Sequence, residues 1–397
     1  MNELIPHIKK LAADLRDSLS AMRRHLHQYP ELSFQEEATA RFIAGKLSEW
    51  GINYTGGFAG HGIVARISGS GQGKGVVALR GDMDALPIQE ANAVDYCSKN
   101  PGVMHACGHD VHTTCLLGAA WILHQLREHW GGEVKLLFQP AEELLPGGAS
   151  LMIKDGALEA PRPSVIFGQH VHPPLEVGKV GFRAGKYMAS SDELYLKVTG
   201  KGGHGAVPQL SIDPILITAH LITALQQIVS RNVDPTIPSV LTFGHITSNG
   251  GATNIIPNEV NLMGTFRTMD ETWRYEAHRR MIQLVEGLAA SMGGRAELRI
   301  EKGYPTLFND ENLTQKARQY AEAYLGPENV TDLPIRLTSE DFAFYSQVLP
   351  SCFFRLGTGN AAKGITSPIH TNTFDVDEDC LPIGAGLMAF LALSELL

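Results

Sequence analysis

Residues 134–143 read VKLLFQPAEE. A short, mostly apolar run leads through one proline into two adjacent glutamates, Glu142 and Glu143. A run of this length and character fits a strand covered on both faces, as in a mainly parallel sheet. The pattern recurs twice. VVALR at 76–80 is followed by Asp82 and Asp84, and SVIF at 164–167 is followed by Gly168 and His170. Sites in open α/β sheets form outside the carboxyl ends of the strands. Three such runs, each ending in an acid/base or metal-type side chain, therefore predict one site along one end of a sheet.

Between the first two of these strands in chain order lies MHACGHDVHTT, residues 104–114. It gathers His105, Cys107, His109, Asp110 and His112. Thiolate, imidazole and carboxylate are the side chains that bind zinc and similar ions. Cys107 and His109 are two apart, so a turn can bring both onto one ion. From Thr113 to Trp130 the chain reads as a helix, which supplies a crossover. The candidate ligands are Cys107, His109, Glu143, His170 and His370, the last in the late segment SPIHTNTFDVDED. His112 and His172 lie close enough in sequence to stand in for a neighbour. Five ligands exceed what one tetrahedral ion takes, whereas two ions sharing a bridging thiolate, with Cys107 as the bridge, would use them. Adjacent side chains in extended chain point in opposite directions. One glutamate of the pair can then hold metal while the other acts as general base on a water. Asp84 reads as a group that holds a ligand imidazole by its second nitrogen.

A chain of 397 residues predicts two domains. Its 44% hydrophobic and 19% charged residues describe an ordinary globular protein. A formal net charge of −9 argues against nucleic acid and anionic membrane as partners. Five cysteines in this length make no disulfide framework and suit a reducing compartment. The first residues, MNELIPHIKKLAADL, contain no apolar signal core. No apolar run approaches the ~18 residues of a membrane span. A cytoplasmic location is expected.

Leu4, Ile8, Leu11, Leu15, Leu19, Met22 and Leu26 recur at helical spacing and predict one long amphipathic helix. His25 and His27 at its end read as surface or packing residues. A second helix is predicted around 36–50. The run SGSGQGKG lacks the spacing of a dinucleotide loop and precedes a strand, so a flexible hairpin connection is expected there. From about residue 182 the rhythm changes to strand, helix, strand, strand, helix, strand, the ferredoxin-like split unit. It predicts an inserted domain over 183–301 within a discontinuous α/β domain formed by 1–182 and 302–397. A helix near 311–325 and a strand at 352–356 resume the α/β pattern.

RGDMDALPIQE, MHACGHDVHTT, FQPAEE, GGHGAVP, TNIIP, SEDFAFY and IHTNTFD occur in this order across nearly the whole chain. Together they resemble the dinuclear metal amidohydrolases and peptidases related to aminoacylase and carboxypeptidase G. The nearest branch is that of hippurate hydrolase, N-acyl-L-amino-acid amidohydrolases and plant auxin-conjugate hydrolases. The resemblance implies a catalytic α/β domain carrying two divalent ions and an inserted lid through which subunits form a homodimer or higher homo-oligomer. It implies Cys107 as bridging ligand, with His109, Glu143, His170 and His370 as the others, and Glu142 as base. It implies His204 as an oxyanion stabiliser in the partner's active site, and Asn254 and Arg267 as groups that grip the substrate carboxylate. The implied reaction is hydrolysis of small N-acyl L-amino acids, with zinc or manganese favoured and nickel or cobalt open. An N-acetyl-diaminopimelate deacetylase or a small-peptide hydrolase is the nearest alternative. A metal-binding dimer without catalysis is a further one, but it has no use for Glu142.

Overall fold

The computed structural model describes residues 2–397, which form two compact units. The larger contains residues 2–185, 308–334 and 341–397. The smaller contains residues 186–307 and 335–340.

The larger unit is built on an eight-stranded sheet. Its spatial order is Asn53–Phe58, Gly62–Ser68, Gly131–Gln139, Gly71–Asp82, Val165–Glu176, Ser351–Gly359, Val180–Phe182 and Val330–Asp332. The four neighbouring central strands, Gly131–Gln139 to Ser351–Gly359, run parallel. Antiparallel pairs lie toward the edges. The three runs that end in site-type residues are thus adjacent and co-directional. Their interior residues Val77, Leu79, Leu136, Phe138 and Phe167 are fully or almost fully buried. The helices His109–Gln125 and Cys380–Leu396 pack on the sheet and on each other. Both are buried nearly all round, as helices between layers are. The first helix is two segments, Ile5–Asp14 and Arg16–Gln28, joined at Leu15 without losing the Leu15-to-Leu11 and Leu19-to-Leu15 backbone bonds. Its predicted stripe, Ile8 to Leu26, faces the core.

Two local expectations are corrected. The crossover helix begins at His109, not Thr113, because Gly108 with φ of 83° turns the chain into it. The SGSGQGKG run is no hairpin, since the Gly131–Gln139 strand lies between the two strands it joins. Its glycines let the backbone lie against residues 130–132. The Gly71 N–H donates to the Trp130 carbonyl at 2.8 Å, and a Cβ on Gly73 would sit 2.7 Å from the Gly131 carbonyl carbon.

The smaller unit has a four-stranded antiparallel sheet in the order Ser239–Ser248, Glu259–Thr268, Asp192–Thr199, Arg295–Lys302. The helices Pro214–Leu225 and Glu271–Ser291 bury Ile217, Leu221, Ala277 and Met281 in its core. Along Asp192–Thr199 the buried residues Leu194, Leu196 and Val198 alternate with more exposed ones, so one face of the sheet is covered by helices. The first helix ends at Leu225, and a π-helical segment, Ile228–Asn232, follows.

The glycine run supplies a stability test within the larger unit. A Cβ on Gly69 would collide with the Trp130 carbonyl oxygen, whereas one on Gly45, in the helix Glu37–Glu49, meets nothing within 4 Å. Urea unfolding of Gly69→Ala should show a loss of about 1–3 kcal/mol from overpacking. Gly45→Ala should gain up to about 1 kcal/mol from helix propensity.

Candidate metal-dependent active site

The strand Gly131–Gln139 ends one residue before Pro140, and Ala141 then takes a left-handed φ of 52°. The chain therefore leaves extended geometry before the glutamate pair. This overturns the expectation that Glu142 and Glu143 point apart. One oxygen of each lies within 4.8 Å of the other and of a His109 nitrogen. The strained turn is pinned by its backbone. The Ala141 N–H donates to Glu36 Oε1 at 2.8 Å, the Glu143 N–H to Asp84 Oδ2 at 3.0 Å, and the Gly148 N–H to the Ala141 carbonyl at 2.9 Å.

Cys107 Sγ lies 3.4 Å from His170 Nε2 and 3.3 Å from His370 Nε2. His370 Nε2 also lies 3.3 Å from Glu143 Oε1. His109 joins Cys107 and His170 in a mutually close, buried group. The five predicted ligand side chains thus converge. Gly108 makes this possible between Cys107 and His109, since a Cβ there would stand 2.5 Å from Val171 Cγ2. His370 itself has φ of 62°, held by its N–H on the Ala106 carbonyl at 2.7 Å. A β-bearing residue kept in that region is strain maintained by its surroundings.

The imidazole orientations follow from their second nitrogens. His109 Nδ1 lies 3.1 Å from Asp84 Oδ1, and His170 Nδ1 lies 2.8 Å from the Val171 carbonyl oxygen. With Nδ1–H donating in each ring, Nε2 presents a lone pair to the cluster. Asp84 also accepts from Ser33 Oγ at 2.6 Å. His112 is differently used. Its Nδ1 lies 2.5 Å from Asp82 Oδ1, and its Nε2 accepts the Val171 N–H at 2.9 Å. Both nitrogens are engaged, so it does not substitute for a ligand.

Electrostatics and burial point the same way. Burial alone would lower the His109 imidazole, but Asp82, Asp84 and Glu143 outweigh it and raise it to about 10. A positive charge at that ring is thus favoured. Burial, Glu143 and Glu142 push the Cys107 thiol well above its usual range, so a thiolate there calls for an adjacent cation. His109 Nε2 is buried without a hydrogen-bond partner, and Glu143 Oε1, likewise buried, faces the His370 nitrogen at 3.3 Å without hydrogen-bond geometry. Orphaned, converging donors of nitrogen, oxygen and sulfur type fit a metal, since unsatisfied buried polar atoms are otherwise costly.

His204 and Asn254 come together on the smaller unit. Gly203–His204 pairs with Ile255–Ile256, and the Gly205 N–H donates to the Asn254 carbonyl at 2.8 Å. Both side chains are exposed, and His204 Nδ1 accepts the Ala206 N–H at 3.0 Å. Arg267 is part-buried near the end of the Glu259–Thr268 strand, where its Nη1 donates to the Leu337 carbonyl and Ser339 Oγ, each at 3.3 Å.

A buried ion network behind the 104–114 stretch escapes any reading by spacing. Arg23 Nε donates to Asp110 Oδ2 at 2.8 Å and its Nη2 to Asp375 Oδ1 at 2.9 Å. His27 bridges Asp110 at 2.8 Å and Glu90 at 3.1 Å. His27 is thus a buried structural residue of this network. Only the helical register of Arg23 and His27, on one face four residues apart, hinted at a shared task.

The model of the peptidase family M20/M25/M40 matches residues 78–394. An N-acyl-L-amino acid amidohydrolase of Geobacillus stearothermophilus is 46% identical over 302 residues, 76% of this chain and 80% of that protein. An N-acetyl-L-cysteine deacetylase of Bacillus subtilis is 40% identical over 92% of this chain and 85% of its own length. The crystal structure of a dinuclear metal-binding M20 peptidase from Bacillus subtilis superposes with a TM-score of 0.82 at 34% identity, covering 97% of this chain and 99% of that one. The chain is an enzyme, a metal-dependent amidohydrolase. It belongs to the peptidase family M20/M25/M40. No helix among the described residues is long and apolar enough to cross a membrane.

The ion network makes two predictions. Arg23→Met leaves buried Asp110 without its guanidinium and should cost about 3–5 kcal/mol in urea unfolding. The network should also be strongest in mildly acidic solution. Burial would raise the Glu90 carboxyl, but His27 outweighs it and lowers it to about 2, so Glu90's stabilising share is lost as pH falls from about 4.5 toward 2. Burial and Arg23 would lower His27, but Asp110 and Glu90 raise it above 6.5, so its share is complete below 6.5 and lost as pH rises through the raised value. Unfolding of His27→Gln against the parent across pH should show the largest difference between about 4.5 and 6.5.

Proposed function

We propose that the chain hydrolyses the amide bond of small N-acyl L-amino acids, giving a carboxylic acid and an amino acid. The observation that carries this reading is Cys107 Sγ flanked by His170 and His370 nitrogens at 3.4 and 3.3 Å, with His109 Nε2 and Glu143 Oε1 orphaned beside it. The similarity to an N-acyl-L-amino acid amidohydrolase supports the substrate class. Cys107, His109, Glu143, His170 and His370 would hold two divalent ions, zinc or manganese first among the options, with Cys107 as the bridge and Asp84 steadying His109. When bound, such ions supply Lewis acidity that makes a water more acidic and an acyl carbonyl more electrophilic.

The remaining work falls to the chain's own groups. Glu142 takes the proton of the attacking water and returns it to the leaving amine nitrogen. His204 donates to the developing oxyanion. Asn254 and Arg267 hold the substrate carboxylate, a task to which the guanidinium fork is suited. The smaller unit serves as a ferredoxin-like lid through which subunits pair. Its edge strand Ser239–Ser248 and the exposed apolar residues Leu216, Ile246 and Ile255 support that role. His204 then acts in the partner's cleft.

A panel of N-acetyl, N-benzoyl and indole-acetyl amino acids, assayed with zinc, manganese, nickel and cobalt, tests the reading. N-Acyl amino acids should be turned over, and peptides alone being cleaved would sink it. Glu142→Gln should lose at least ~10²-fold in turnover, as for a lost general base, with its metal retained. Cys107→Ala should lose bound ion by elemental analysis. Mixing inactive Glu142→Gln with inactive His204→Ala subunits should restore activity on exchange. Heterodimers that form yet stay dead would refute the action in trans.

A further inference from the structure

Glu142 sits in a turn, and a turn is a weak place from which to aim a base. A glutamate side chain left mobile loses rotamer entropy in any state that fixes it. A misplacement of about 1 Å can cost ~10²-fold in rate. Glu36 and Asp84 hold the backbone of this turn through the N–H groups of Ala141 and Glu143. Neither contact aims the Glu142 carboxylate.

We infer that Asp341 positions Glu142, acting through its own backbone N–H. That N–H donates to Glu142 Oε1 at 3.2 Å. The peptide is in turn anchored by the Asp341 side chain, which is fully buried. Arg80 Nη2 donates to Asp341 Oδ1 at 2.6 Å. Gln139 Nε2 reaches both carboxylate oxygens, at 2.9 and 2.7 Å. The Ala149 N–H donates to Oδ2 at 2.9 Å. Arg80 Nε donates to Gln139 Oε1 at 2.8 Å, so Arg80, Gln139 and Asp341 close a ring of hydrogen bonds. Arg80 and Gln139 belong to neighbouring parallel strands, Gly71–Asp82 and Gly131–Gln139. The ring therefore fixes the Asp341 peptide to the rigid centre of the sheet. The next residue strengthens the anchor. Phe342 is fully buried and stacks on Phe353 at 4.9 Å between ring centroids. Alanine at Gly168 would put a Cβ 2.7 Å from the Phe342 ring, so the fit leaves no slack. Asp341 needs no contact with substrate: it acts through Glu142.

This inference rests on Glu142 being the base, and a double-mutant cycle separates the two. Kinetics would use the fastest substrate of the panel with metal-saturated protein, alongside metal content and thermal melting. Asp341→Asn keeps the volume but removes the charge facing Arg80. Its kcat should fall about tenfold, with KM and metal content at the parent level, and Asp341→Ala should fall further, toward the ~10²-fold of a misplaced group. In the Glu142→Gln background both losses should vanish, because nothing remains to be aimed. If Glu142→Gln alone keeps near-parental turnover, the base reading fails first, and this inference with it. If Glu142→Gln is impaired yet Asp341→Asn costs the same factor in both backgrounds, Asp341 supports the fold and does not position Glu142. Parental kcat in both Asp341 variants overturns the inference as well. Should Asp341→Ala fail to fold by melting, Asp341→Asn decides alone by the same comparison: a loss confined to the Glu142 background supports positioning, and no loss or an equal loss overturns it.

Discussion

One guanidinium ties the ligand-bearing segments together. Arg23, in the helix Arg16–Gln28, is completely buried and pairs with Asp110 and Asp375. Asp110 is in the first turn of the helix that follows Cys107, and Asp375 lies five residues beyond His370. Burial alone would raise the Asp110 carboxyl, but Arg23 and His27 outweigh it and hold it far below the usual range. The pair is thus fully ionic inside the protein. A buried charge without its partner costs several kcal/mol, so the three segments have little freedom to drift apart. Approach of Cys107 and His370 to 3.3 Å is downstream of that constraint.

Around the cluster, carboxylates outnumber cations. Asp82, Asp84, Asp341, Glu142 and Glu143 stand against the buried guanidiniums of Arg80, which Asp82 and Asp341 already share, and Arg355, which adds to burial in holding the His170 imidazole well below its usual range. The imbalance appears in the groups between them: His109 is raised to about 10 while the Cys107 thiol is pushed well above its ordinary range. Each shift would relax if positive charge entered the cluster. A site this acidic and donor-rich gains from divalent ions both through coordination and by relief of like-charge repulsion. The same argument separates Asp82 from the ligands, since His112 and Arg80 take its two oxygens.

Much of this was legible in the residues. The three short apolar runs located the adjacent parallel strands because a strand buried on both faces has no polar alternation to obscure it. Density of sulfur, nitrogen and carboxylate donors marked residues 104–114 because few other tasks concentrate those types. Chain geometry at the joints was harder to read. The start of the helix at His109 depends on a left-handed Gly108, and the separation of the strands flanking SGSGQGKG depends on a third strand contributed by residues 131–139. Arg23, Asp110 and Asp375 are separated by tens to hundreds of residues, and no periodicity connects them. Asp341 lay inside a motif that carried the family resemblance, yet its contact with Glu142 is made by a backbone N–H, which no residue type announces.

The two glutamates show why such joints matter. Had residues 140–143 stayed extended, Glu142 and Glu143 would have faced opposite sides of the sheet, and only one could have reached the cluster. The left-handed Ala141 turns both toward His109, at the cost of strain in a residue that bears a Cβ. Strain of that kind persists only where neighbours over-determine the backbone. Here Glu36 holds the residue before the pair, Asp84 holds Glu143, and the Asp341 N–H holds the carboxylate of Glu142. Three acidic residues from three distant parts of the chain thus spend their acceptors or their peptide on one four-residue turn. A metal ligand and its neighbouring base would need that arrangement: one carboxylate placed on the cluster, the other placed beside it, and neither able to exchange roles.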